Sequence, residues 1–221
     1  AGLQSNFLPW RGVFDMINSV DLFVFHDDIQ YTKQDWRNRN RLKMNDGTHW
    51  FTVPVKKAPA DALINQIEID GIRWANHHRG MIASSLHGAP HYHDILPLID
   101  GLENFTHLSQ LNQELIRRVC MYLGIHTQRV NTEGLPGKKT EKILAICKLW
   151  GATTYLSGPA ARQYLDVGLL KDNGIETEWK QYNYQPYRQQ WGAFDGAVTI
   201  LDLIANLGTD AKNHIRSADE D

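Results

Sequence analysis

Cysteine is nearly absent from this chain: Cys120 and Cys147 are the two in 221 residues. Two thiols cannot build a disulfide framework or a four-cysteine zinc site. Neither charge dominates, with 23 Lys+Arg against 25 Asp+Glu. That balance excludes a globally basic nucleic-acid binder and leaves room for a local basic groove. No apolar run approaches the roughly 20 residues needed to cross a bilayer. No basic-then-apolar leader opens the sequence, so a cytoplasmic protein without membrane insertion is expected. Solenoid-period repeats and low-complexity tracts are missing. So are the phosphate-loop spacing G-x-x-x-x-G-K-[ST] and the dinucleotide fingerprint G-x-G-x-x-G, and Ser157 lacks the nucleophile elbow G-x-S-x-G.

What remains has the composition of an ordinary globule, 42% hydrophobic and 22% charged. A chain of this length buries roughly 70% of its unfolded surface and needs no covalent staples. Ala1–Asn6 reads as a strand, and Pro9 suits the first turn of a helix carrying Val13, Phe14, Ile17 and Val20 at helical spacing. Leu22–Phe25 is a continuous apolar run, the mark of a strand covered on both faces. Strand, helix and buried strand together predict a parallel sheet. Trp50–Val55 reads as a further strand. Residues 74–123 read as a helical insertion broken at Gly88-Ala89-Pro90 and near Gly101. Its second half presents Leu108, Leu111, Leu115, Ile116, Val119 and Leu123 on one face before the helix-ending Gly124. Thr140–Trp150 is a helix, Thr154–Leu156 a strand, Pro159–Leu165 a helix, Ile175–Tyr182 a strand and Ala197–Leu207 an amphipathic helix. The expected organisation is one α/β domain over residues 1–208 and a frayed polar tail over 209–221.

Four constellations carry chemistry. His26-Asp27-Asp28 follows the buried strand, and open parallel sheets bind ligands outside the carboxyl ends of their strands. Carboxylates there can act as a base or hold Mg²⁺ with a phosphorylated substrate; the plainer reading is a turn cap. In Trp36–Lys43 an extended backbone puts Arg37, Arg39, Arg41 and Lys43 on one face and Asn38 and Asn40 on the other. A guanidinium row grips phosphate oxygens, though charged strands also protect sheet edges. Lys138 and Lys139 precede a helix that Thr140 caps, an anion site in outline, and Ser157-Gly158 precedes another; ordinary helix starts look alike. His77, His78, His87, His91, His93 and Asp94 cluster around a proline turn. They lack standard zinc spacing, and surface histidines are the better reading. Cys120 and Cys147 read as small buried hydrophobes. The aromatics of Tyr182–Trp191 either stack a sugar or base or pack over the sheet.

These segments resemble the WbqC-like family of bacterial proteins. The resemblance rests on Gln4–Asp15 (Q-S-N-F-L-P-W-R-G-V-F-D), Phe23–Tyr31 (F-V-F-H-D-D-I-Q-Y), Trp36–Arg41 (W-R-N-R-N-R) and Trp50–Val55. Gly137–Glu141, Tyr155–Gly158, Tyr164–Asp166 and Ile200–Leu203, with Asn206 and Gly208, extend it nearly end to end. The family's opening His-Gln-Pro-Asn-Tyr is altered here: Leu3 and Ser5 replace the histidine and proline, and Phe7 the tyrosine. His26 occupies a usually apolar position. The resemblance implies a place in surface-polysaccharide assembly, such as O-antigen of lipopolysaccharide, or in specialised metabolism, and an aminoacyl, for example glycyl, transfer onto an amino sugar. Opening strand, P-W-x-G turn and the later K-T-E and S-G segments also resemble nucleotidyltransferase or HUP-like members of the Rossmann-like folds. The expectation is a Rossmann-like α/β transferase. Asp27, Asp28 and His26 are its catalytic candidates, with Gln4, Asn6, Trp10, Gln30, Tyr31, Trp36, Arg37, Asn38, Arg39, Asn40, Arg41, Lys138, Lys139, Thr140, Ser157 and Gly158 on substrate. A nucleotide-linked small molecule, an aminoacyl-tRNA or a carrier-protein thioester would supply the substrates. The alternatives are a nucleotide-activating enzyme and a non-catalytic sugar-nucleotide or RNA-binding module.

Overall fold

The computed structural model describes residues 1–132 and 134–217. The chain begins with β1 (Gly2–Leu3), α1 (Arg11–Asn18) and β2 (Leu22–Phe25). β1 and β2 pair in parallel, Gly2 opposite Val24 and Leu3 opposite Phe25, as the strand–helix–strand pattern requires. An antiparallel hairpin of β3 (Arg39–Met44) and β4 (Gly47–Thr52) follows. The helical stretch consists of α2 (Arg73–Leu86), α3 (Tyr92–Ile95) and α4 (Leu108–Tyr122). β5 (Gln128–Asn131) returns to pair in parallel with β2. Next come α5 (Thr140–Leu149), β6 (Thr154–Ser157), α6 (Val167–Asp172) and β7 (Glu176–Trp179), β6 and β7 forming a second parallel pair. α7 (Ile200–Leu207) and α8 (Ala211–His214) end the described chain. The architecture is mixed α/β, with strand order β1-β2-β5 in the larger sheet. No helix among the described residues is long and apolar enough to cross a membrane.

α4 forms because its apolar residues recur every three to four positions and find one core. Leu108, Leu111, Leu115, Ile116, Val119 and Leu123 are all buried. Gly124 stops it with φ +64, a left-handed position that a side chain would resist. Several expectations change in contact with the structure. Pro159–Gln163 is a 3₁₀ turn rather than an α-helix, and the helix begins only at Val167. The later strand shortens to Glu176–Trp179. The tail is not frayed at its start: Ala211 and Ile215 are fully buried in the main core. Residues 218–221 lie outside the described residues.

The loop over 182–195 packs down rather than reaching out. Its Tyr184, Tyr187 and Phe194 rings surround the Arg11 guanidinium at 4.5, 5.5 and 5.6 Å. Arg11 Nη1 also donates to the carbonyls of Gln185 and His214. Beside it, Lys180 reaches Asp15 at 2.9 Å, and both side chains are fully buried. Tyr184 donates its hydroxyl to the same carboxylate at 2.6 Å.

The histidine cluster disperses. His77, His87, His91 and His93 are exposed, and His78 turns inward among Phe7, Phe51 and Trp74. Burial, then the neighbouring His77, holds the His78 imidazole down to about 4. An unfolded histidine binds its proton near 6.5, so between those values the unfolded chain carries the extra proton. Stability is therefore expected to fall as pH drops from about 6.5 toward 4 and to be indifferent to this group above that window. Urea unfolding at pH 7.5, 6 and 5 checks this; a flat profile, or an unchanged slope in H78Q, would refute it.

Candidate functional site

Some of the candidate residues lie at the carboxyl ends of the parallel strands. β1 leads into Gln4, Ser5 and Asn6, β2 into His26, Asp27 and Asp28, β5 into Thr132, and β6 ends on Ser157 followed by Gly158. The two aspartates, identical in sequence terms, have opposite surroundings. Asp27 is buried, and three donors fill its carboxylate: the Ser5 amide at 2.7 Å, Gln113 Nε2 at 2.8 Å and the Ser109 hydroxyl. These bonds tie the turn after β1 to α4. Asp28 keeps open lone pairs. Its Oδ1 accepts from Thr132 at 3.0 Å and its Oδ2 faces the ammonium of Lys142 at 2.5 Å.

Lys142 is the residue that sequence reasoning missed. It lies in the first turn of α5 and is buried, which a lysine tolerates when paired. The signal was available: Lys142 stands one turn before the buried Ile146, on the inward side of the helix. His26 packs its imidazole over Gly2, where a Cβ would collide with the ring. Burial, then Lys142, depresses it to about 4, so it is a neutral ring at neutral pH and a weak base. The donor set does not suit Mg²⁺ either: Asp27 is filled with hydrogen-bond donors and Asp28 already faces a cation. Among the described residues no group of three or more His, Cys, Asp or Glu gathers as a metal site.

The expected alternation runs from Arg37 into β3, with Asn38 and Asn40 buried and Arg37, Arg39 and Arg41 half-buried, while Lys43, expected beside the arginines, is buried. The asparagines serve backbone. Asn38 Nδ2 donates to the Val53 carbonyl, and Asn40 Nδ2 to those of Phe7 and Leu8 at 3.0 and 2.8 Å. Leu8 has φ +41, a strained position costing roughly 1–3 kcal/mol. Its carbonyl also accepts from the Thr199 hydroxyl at 2.8 Å. This braced turn aims Pro9 and Trp10. Gly12 lets the Trp10 indole fold back, since a Cβ there would strike the ring.

Only part of the basic row is available. Arg37 is ion-paired with Asp35, and Lys43 is buried beneath the 189–193 loop, donating to Gln189 Oε1 and the Ala193 carbonyl. Arg39 and Arg41 have no carboxylate partner among the described residues. Arg39 lies 4.1 Å from the Trp50 ring and Arg41 5.9 Å from the Trp36 ring, and the two half-exposed indoles are 5.1 Å apart. Arg41 Nε holds the Ala197 carbonyl at 3.0 Å. Ala197, Asn6, Pro9, Trp10, Trp36 and Asn40 line a cavity of about 300 Å³ beside this pair. The Oδ1 of Asn6 is buried with no hydrogen-bond partner. A larger cavity, about 440 Å³, is lined by Leu22 and Thr154, the first residues of β2 and β6. Its lining also takes in Val24 and Leu156 and reaches His26, just past the end of β2.

The other candidates scatter. Gln30 donates to the Ala60 carbonyl at 2.7 Å, and Tyr31 is half-buried. Lys138 and Lys139 are exposed; Lys139, not Thr140, is the capping position of α5, and the Thr140 hydroxyl accepts from the Asp166 amide. Ser157 is buried, and Gly158 lies against the Tyr182 hydroxyl.

Similarity to known proteins extends over nearly the whole chain. An uncharacterized protein of Mycobacterium tuberculosis, Rv1507c, is 42% identical over 221 residues, spanning 97% of this chain and 96% of that protein. No solved structure matches the chain significantly. The model of the WbqC-like protein family matches residues 4–214, which include the aspartate pair, the arginine hairpin and α5. The chain belongs to the WbqC-like protein family.

Proposed function

We propose that the protein is a transferase that joins an aminoacyl group, such as glycyl, to an amine on a phosphate-activated acceptor such as a nucleotide-linked amino sugar, in surface-polysaccharide or specialised-metabolite assembly. The observation that carries the reading is the pair of unpaired guanidiniums, Arg39 and Arg41, beside a cavity of about 300 Å³. Two fixed cations without carboxylate partners suit the phosphates of such a substrate. In this reading the acceptor amine attacks the acyl carbonyl carbon, the bond to the donor's leaving group breaks, and Asp28 takes the proton released from nitrogen. The lysine opposite, Lys142, orients that carboxylate, and Gln4 positions the acceptor. Amide formation needs such a base. We read the sheet as Rossmann-like, supported by the parallel β1–β2 unit and by candidate residues at the carboxyl ends of the strands.

The test is binding and turnover with nucleotide-linked amino sugars and activated glycine donors, following the amide product by mass spectrometry. A ligand that binds only the native state raises its melting temperature. R39A and R41A should each weaken phosphorylated-substrate binding about tenfold or more, the worth of a lost charge-assisted hydrogen bond, and leave melting of the free protein nearly unchanged. Wild-type affinity in the double variant would remove the arginines from the site. Tight binding with no product from any donor would instead make the protein a sugar-nucleotide-binding module.

A further inference from the structure

The cavity beside the arginine hairpin has a chemistry of its own. Two indoles, Trp10 and Trp36, and Pro9 line it. Trp10 is fixed from behind by Tyr182 and Tyr184, with ring centroids 5.2 and 5.7 Å away. Trp36 is backed by Trp50 at 5.1 Å. Rings held in this way are ready to stack a flat partner at little cost in side-chain entropy. Asn6, part of the lining, carries a side-chain oxygen that is buried without a partner, a loss unless an arriving N–H or O–H group reaches it. The Asn40 amide, the other polar side chain in the lining, is spent on Phe7 and Leu8. Arg39 and Arg41 stand at the hairpin side, Arg41 joined to the cavity wall through Ala197. The volume, about 300 Å³, is at the low end for small-ligand sites. It admits one ring system with its ribose and not a run of stacked nucleotides.

We propose that this cavity reads the base of a nucleoside diphosphate: the heterocycle stacks on Trp36, donates a hydrogen bond to Asn6 Oδ1, and leaves its phosphates on Arg39 and Arg41. The inference rests on the phosphate-binding reading above and adds to it that the base, rather than the sugar, is the recognised end. A free nucleotide fits better than RNA because the chain carries no net positive charge, 23 basic against 25 acidic residues, and the enclosed volume is that of one nucleoside.

The experiment titrates the full chain with UDP, CDP, ADP and GDP, and separately with inorganic pyrophosphate, glucosamine 1-phosphate and a short single-stranded RNA, following tryptophan fluorescence and calorimetry. At least one nucleoside diphosphate should bind ten times or more tighter than pyrophosphate. W36A should lose about tenfold for that nucleotide and nothing for pyrophosphate, with W36F recovering part of the loss. N6A should reduce the preference among the four bases. Glucosamine 1-phosphate binding as well as any nucleotide, or W36A weakening nucleotide and pyrophosphate alike, would overturn the base-reading role while leaving the arginine phosphate site intact. RNA binding more tightly than every mononucleotide would overturn it in favour of a nucleic-acid partner. Failure of pyrophosphate and all other anions to bind would sink both readings together.

Discussion

Replacing Lys180 by methionine should destabilise the protein by about 3–5 kcal/mol, the cost of leaving one member of a buried ion pair without its counter-charge. Lys180 and Asp15 are fully buried and 2.9 Å apart, so solvent screening does not soften the loss. Methionine keeps most of the aliphatic stem and removes the ammonium, which confines the change to charge. The remaining carboxylate would keep the Tyr184 hydroxyl at 2.6 Å and the Ser19 hydroxyl at 3.4 Å, neutral donors that do not replace the lost ammonium. For a chain of this size the melting temperature should fall by roughly 6–20 °C. The pairing also predicts non-additivity. The double variant D15N/K180M removes both charges and should be less destabilised than the sum of the singles, because interacting groups share one term. Urea unfolding of the four proteins gives the cycle. A K180M loss below about 1 kcal/mol, or strict additivity, would show that the pair contributes no more than a surface bridge.

A second large effect separates the two adjacent aspartates. D28N should lower the turnover of the proposed transfer by about 10²–10⁴-fold, the usual contribution of a general base, with the melting temperature close to wild type. D27N should do the reverse. Its carboxylate receives three donors inside the protein, and an amide can accept on one atom only, so one or more donors are left facing an N–H₂ group. That mismatch costs about 1–3 kcal/mol for each buried group left unsatisfied, while residual turnover per folded molecule persists. K142M should follow D28N in turnover, since it removes the group that orients that carboxylate. If D27N abolished turnover at unchanged stability while D28N retained it, the roles would be exchanged and the mechanism wrong.

The parts of the fold that could be read in advance are those where one periodicity meets one environment. β2 is apolar throughout and lies between two parallel partners, and α4 carries a single apolar stripe into the core. β5 escaped notice because Gln128-Arg129-Val130-Asn131 has one apolar residue. Among the described residues it pairs on one side only, with β2, and an edge strand needs little apolar surface. β3 was legible as a pattern without its meaning. Alternation separated arginines from asparagines, and nothing in the spacing told that Asn40 would brace Leu8 while Arg37 would be taken by Asp35. Those facts come from segments that meet only in space. The same holds for the site: Asp27 and Asp28 differ by what α4 and α5 bring to them, and Trp50 enters the aromatic pair because the hairpin register sets it opposite Arg41.

The carbonyl of Leu8 links distant stretches of chain, receiving Asn40 from 32 residues away and Thr199 from 191. Closing so long a loop is among the slow and entropically demanding events of folding. The cavity beside Trp10 has Ala197 in its wall, so it is complete only when the segment that carries Thr199 has docked on the opening turn. Ligand capture at that cavity would thus act as a lock. A bound ligand would oppose undocking of that segment, since a ligand that binds only the closed form stabilises it.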